Sequence, residues 1–102
     1  MTLQALTNYL QKKWSVTLQY DALIGYCGVL KGLVLVFART VPGKNTVDYL
    51  ECYGGNCNFG LEFNGYKNSE ITAILDDAYQ TMSKVIAVET HKMENEQKID
   101  KK

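Results

Sequence analysis

Gly32-Leu33-Val34-Leu35-Val36-Phe37-Ala38 runs for seven positions without a polar side chain. Its β-branched and aromatic residues suit a pleated strand better than a helix. A strand at the solvent boundary alternates apolar and polar residues, whereas one that is apolar on both sides is covered on both faces. The stretch therefore predicts the central strand of a sheet, with something to be supplied on each side of it.

Outward from this strand the punctuation is that of hairpins. Lys31-Gly32 can turn the chain, and before it Leu23 to Leu30 offers a partner strand. Leu23, Cys27 and Leu30 also fit a helical spacing, but Gly25 and Gly28 disfavour a helix there. Earlier still, Val16, Leu18 and Tyr20 alternate with Thr17 and Gln19, the pattern of a half-buried strand. On the other side, Pro42-Gly43-Lys44-Asn45 has proline where φ is preset and glycine where φ can be positive. If that loop closes a hairpin, Val41 faces Thr46, Arg39 faces Asp48, Phe37 faces Leu50 and Leu35 faces Cys52. The opposite charges in register support the pairing, although such a pair contributes only about 0.2–1 kcal/mol. Gly54-Gly55-Asn56 supplies a further turn, and Phe59, Leu61 and Phe63 alternate with Gly60, Glu62 and Asn64 to give the last strand.

A helix is expected at each end. Leu3, Leu6, Leu10 and Trp14 recur at spacings of three or four, with Thr2 placed to cap them. Near the C-terminus Ile71, Ile74, Leu75, Ala78, Met82, Val85 and Ile86 form one apolar stripe, with Asn68 or Ser69 as cap and Glu70 in the first turn. The expected fold is α+β: a two-layer sandwich of an N-terminal helix, an antiparallel β-meander of four to five strands and a C-terminal amphipathic helix. Residues 1–90 form this single domain, and 91–102 a mixed-charge tail, frayed or disordered.

Carrying the registers across the sheet sorts its side chains. Val34, Val36 and Ala38 fall with Val47, Tyr49, Tyr53, Phe59, Leu61 and Phe63, the face the helices should cover. Ile24, Tyr26, Leu30, Leu33, Leu35, Phe37, Leu50 and Cys52 fall on the other, which turns polar toward Asp48, Glu62 and Asn64. Two helices can hardly shelter both sides, and a bare patch of this size exceeds what a soluble monomer tolerates. Ile24, Tyr26, Leu30, Leu33, Leu35, Phe37 and Leu50 are accordingly the expected partner-binding residues. The alternative, one helix on each face, would give a closed monomer.

Composition narrows the partner. In 102 residues, eleven basic and eleven acidic side chains give zero formal charge. That removes the long-range attraction on which a nucleic-acid binder relies and leaves copies of the chain without mutual repulsion. Another copy, or a different protein, is the expected partner. Ala22 to Ala38 is 17 residues long and holds one charge, Lys31. A bilayer needs roughly 20 apolar residues and penalises a mid-span lysine, so no membrane span is expected. No signal peptide is visible in Met1-Thr2-Leu3-Gln4, and three cysteines are an odd set for a secreted scaffold. Reduced thiols and a cytoplasmic setting follow.

Candidate chemistry is sparse. Cys52 and Cys57 flank a turn and could share a metal, but only Cys27 and His91 remain to complete four ligands. A nucleophilic Cys57 would have His91 alone as base. Gly54 to Gly60 resembles a phosphate-cradling loop, yet a strand pattern follows it instead of a helix. Asp76 and Asp77 are neighbours on a helix and do not share a face. Seven tyrosines, with amphipathic rings suited to interfaces, add to the case for a binding surface, Tyr26 foremost. No enzyme, cofactor or metal is expected. Small chains of this build serve as adaptors, chaperone-like accessory proteins or inhibitors, including those carried by phages and mobile elements. The alternative is a small-ligand or metal-binding module, using a dimer pocket lined by Tyr26, Phe37 and Tyr49 or the Cys52/Cys57 turn.

Overall fold

In the computed structural model, residues 1–88 are described with their side chains and the last helix runs on to Asp100. The charged tail expected over 91–102, His91 included, lies outside those fully described residues. Helix α1 (Leu3–Tyr9) begins at Thr2, whose hydroxyl accepts the Ala5 N–H at 3.1 Å. It continues as a π-helical turn, Leu10–Trp14, that stops at Ser15 in the left-handed region (φ 55°). Five strands follow, β1 (Gln19–Asp21), β2 (Gly25–Leu30), β3 (Val34–Thr40), β4 (Val47–Gly54) and β5 (Cys57–Glu62), in one antiparallel sheet of order β1-β2-β3-β4-β5. The apolar stretch is its central strand. Helix α2 (Asn68–Asp100) closes the chain, with Glu70 reaching back to accept the Lys67 N–H at 3.0 Å. Asn68 and Ser69, expected as caps, are its first helical residues.

Both helices lie on the same side of the sheet. Leu6, Leu10 and Trp14 from the N-terminal pair, and Ile71, Leu75, Ala78, Met82 and Ile86 from α2, join Val34, Val36, Ala38, Leu50 and Cys52 in one buried cluster. The stripe on α2 follows the helical repeat because only one face meets the sheet. Tyr9 donates its hydroxyl hydrogen bond to Asp76 and so ties α1 to α2. Burial, then that carboxylate, pushes the Tyr9 phenol well above its ordinary range. Trp14 stacks against Tyr79 with ring centroids 5.8 Å apart. Its buried indole N–H makes no full hydrogen bond, although it lies close enough to the Tyr9 hydroxyl to act on it.

Two details of register depart from the sequence reading. The β2–β3 turn has three residues, Lys31-Gly32-Leu33, and pairs Leu30 with Val34. A two-residue turn would have set Leu30 on the outer side, and the extra residue flips it. A bulge between Arg39 and Thr40 pairs Thr40 with Val47 and Arg39 with Tyr49, so Asp48 is the additional residue. Leu35 then lies opposite Tyr53 and Phe37 opposite Glu51, one step from the expected partners. Leu30, Leu50 and Cys52 therefore point into the core and are 0% exposed, while Tyr49 and Tyr53 exchange places with them. The segment from Val16 is also less of a strand than its alternation suggests. Val16 enters the core before β1 begins, and Gly28 lets it approach, since a Cβ there would sit 2.7 Å from the Val16 side chain and the Thr17 carbonyl.

Candidate protein-binding face

Among the described residues, none covers the side of the sheet away from the helices. Along β3 the odd positions are buried less than the even ones: Val34, Val36 and Ala38 are enclosed, whereas Leu35 is 44% exposed and Phe37 half-buried. Cross-strand pairing extends the surface in rows. Val29, Leu35, Tyr53 and Asn58 form one row, and Cys27, Phe37, Glu51 and Gly60 the next. Val29 is 48% and Tyr53 59% exposed. Leu33 in the β2–β3 turn and Ile24 in the β1–β2 turn bring further exposed apolar side chains to the two ends. Exposed apolar residues scattered singly are ordinary, but a contiguous strip on one flat face is not.

Of the residues singled out from sequence, Ile24, Leu33, Leu35 and Phe37 are thus outside the core, and Leu30 and Leu50 are buried within it. Tyr26, expected foremost on the open face, instead pairs with Ala38 on the covered side and packs partly against the core at the sheet's margin, because the three-residue turn reverses it together with Leu30; its ring meets Tyr20 edge-on at 5.2 Å. Cys27, Val29 and Tyr53 are not among the partner-binding residues expected from sequence, and Tyr49 is expected only in the lining of a dimer pocket. The turn length and the bulge hid them, since either one reverses the alternation that assigns a face.

One end of the strip is hollowed. A depression of about 520 Å³ is lined by Ile24, Tyr26, Phe37, Arg39, Tyr49 and Glu51, among others. Arg39 is held at its rim: Nε donates to Asp48 Oδ1 at 3.1 Å, and the guanidinium lies 5.1 Å from the centre of the Tyr49 ring. Arg39 stays largely exposed, so this pair fixes an orientation more than it stabilises the fold. The face consequently carries a fixed cation and the Glu51 and Glu62 carboxylates beside its apolar rows.

The other candidate chemistries fare differently. Cys52 and Cys57 both point toward α2, beneath the sheet, and are buried. Burial first, and then the charges of Cys57 and Glu51, push the Cys52 thiol from 9.0 up to about 12. It is protonated at neutral pH and offers neither a nucleophile nor a metal-ready thiolate. Among the described residues no three His, Cys, Asp or Glu side chains converge as a metal site. Gly54 and Cys57 pair across a tight turn that leads into β5, a hairpin with no helix N-terminus to hold a phosphate. Asp76 is engaged by Tyr9, and no described helix is long and apolar enough to cross a membrane. The chain matches no protein-family model, no characterised protein and no solved structure.

Proposed function

We propose that this chain is a non-enzymatic protein-binding module that works through the uncovered face of its sheet, and that the first occupant of that face is a second copy of itself. The observation that carries the reading is the row Val29–Leu35–Tyr53, exposed across the three middle strands of a sheet whose opposite side already holds both helices. Sheet faces pack on one another with strands within about 30° of alignment, their side chains interdigitating across about 10 Å. A surface that meets itself under two-fold symmetry must be self-complementary. Apolar rows flanked by Arg39 on one strand and Glu51 and Glu62 on others meet that condition, and zero net charge adds no repulsion.

Size sets the strength. Five strands about 4.8 Å apart, with roughly 3.3 Å of rise per residue, give a footprint of roughly 20 by 20 Å, or about 400 Å². That is below the roughly 800 Å² per partner of a standard interface, so the pair belongs with the weak, exchangeable class. A micromolar dimer that opens to admit another protein suits an adaptor, accessory protein or inhibitor in the cytoplasm. Light scattering across a concentration series tests this. Wild type should shift from the mass of one chain toward two, and Leu35→Glu should stay at one. An unchanged mass at all concentrations, or a dimer indifferent to Leu35→Glu, would overturn the self-pairing.

A further inference from the structure

A second surface lies along the outer edge of β5, where it borders the open face but turns main-chain groups, not side chains, outward. The Phe63 N–H donates to the Asp48 carbonyl at 2.9 Å, and β5 pairs with β4 from Gly54–Cys57 to Tyr49–Glu62 without a break. Hydrogen bonding in an antiparallel pair alternates, so the main-chain groups of Cys57, Phe59 and Leu61 turn toward β4. Those of Asn58, Gly60 and Glu62 therefore point away from the sheet. Natural edges are blunted by short length, lysine, proline or a bulge. The opposite edge, β1, is three residues long. β5 has six residues, with no lysine, proline or register shift.

Beside this edge a groove of about 410 Å³ separates β5 from α2. Its walls are mainly apolar, formed by Phe59 on one side and Ile74, Ala78, Met82 and Val85 on the other, with Thr81 at the lip. Its one charged lining residue among those described is Asp77. An unpaired row of main-chain donors and acceptors is satisfied by another extended backbone, and neither a helix nor a small apolar ligand can meet it. Side chains two residues apart on such a backbone point the same way and would enter the groove together. The Asp77 carboxylate favours a basic side chain beside it.

We propose that β5 and the β5–α2 groove bind an extended segment of another protein as a sixth strand, taking two apolar side chains in alternate positions and a lysine or arginine near Asp77. The probe is a phage-displayed library of random eight-residue peptides, with enriched sequences synthesised and titrated into ¹⁵N-labelled protein. Enriched peptides should share an apolar-x-apolar pattern with one basic residue. They should slow amide exchange at Asn58, Gly60 and Glu62 by tenfold or more. Thr81→Trp, which fills the groove from an exposed position, should weaken binding at least tenfold. Glu62→Pro, which removes an outward N–H and leaves the β4 ladder intact, should weaken it as well. Leu35→Glu should leave it unchanged, which separates this site from the open face. No shared pattern, shifts confined to Val29, Leu35 and Tyr53, or affinity indifferent to both edge variants would overturn the proposal. Exchange at Asn58, Gly60 and Glu62 that slows with protein concentration alone would assign the edge to a second copy and overturn it too.

Discussion

Truncating Leu50 and truncating Leu35 should have sharply different consequences, although the two residues are the same type on adjacent strands. Leu50 is 0% exposed, opposite Ala38 and Leu61 and beneath the helices. Leu50→Ala removes its transfer free energy and leaves a cavity that a core of this size can only partly close. Such changes cost about 2–5 kcal/mol. Near 100 residues, each kcal/mol moves Tm by roughly 4–8 °C, so about 3 kcal/mol corresponds to a fall of roughly 12–24 °C. Leu35, at 44% exposure on the open face, has no cavity to leave. Its truncation should cost the monomer about 1 kcal/mol or less, from partial loss of burial alone. The assay is urea unfolding followed by circular dichroism, at protein concentrations low enough for the midpoint not to depend on concentration. Only the midpoint should move, with the slope unchanged. Equal costs for the two truncations, or a larger one for Leu35, would mean that β4 pairs in the other register and that the faces are exchanged.

Other expectations follow from the same geometry. Cys52 has its folded pKa raised from 9.0 to about 12, so the folded state holds a proton that the unfolded chain gives up first. Its stabilising contribution is complete below pH 9 and falls by up to about 1.4 kcal/mol per pH unit between pH 9 and 12. Urea midpoints over that range should decline less steeply in Cys52→Ala than in wild type, once both are referred to their values at pH 7. Gly54 has φ 146°, and a Cβ there would lie 2.5 Å from the Leu33 carbonyl. Gly54→Ala should therefore cost more than 1 kcal/mol by thermal denaturation, whereas a glycine in open space such as Gly43 carries only its conformational penalty. Thr2→Ala should cost about 1 kcal/mol through loss of the hydroxyl cap on the Ala5 N–H, with Thr2→Ser close to wild type in the same assay.

The chain's architecture is legible in its periodicities because each element meets water on one side only. The stripe Ile71–Leu75–Ala78–Met82 could bury a face only as a helix, and the stretch from Leu33 to Ala38 could satisfy its backbone at the centre of a sheet. The faces of the outer strands were less accessible. Strand polarity has period two, so one additional residue reverses an assignment, and neither insertion announces itself in side-chain type. Lys31 takes φ 50°, a conformation lysine rarely adopts, to make a three-residue turn from what reads as a two-residue one. The bulge at Arg39 and Thr40 is masked by the Arg39–Asp48 ion pair, which forms just as well diagonally across the bulge as directly opposite. The turn takes Leu30 and Tyr26, and the bulge takes Leu50, off the outer face that simple alternation gives them. Leu35 and Phe37 stay on it, because they sit between the two irregularities on the strand from which the sheet was read.

Tyrosine reactivity locates the self-pairing most directly. Tyr53 is 59% exposed on the open face, and Tyr66, 47% exposed, stands apart from it in the β5–α2 loop as an internal control. Chemical modification of wild type, read by mass spectrometry of peptides from about 1 µM to about 1 mM, spans the affinity range expected of a small interface. Protection of Tyr53 that grows with concentration while Tyr66 stays constant, and that vanishes in Leu35→Glu, is the predicted result. A Tyr53:Tyr66 reactivity ratio that is flat across the whole range would contradict the account.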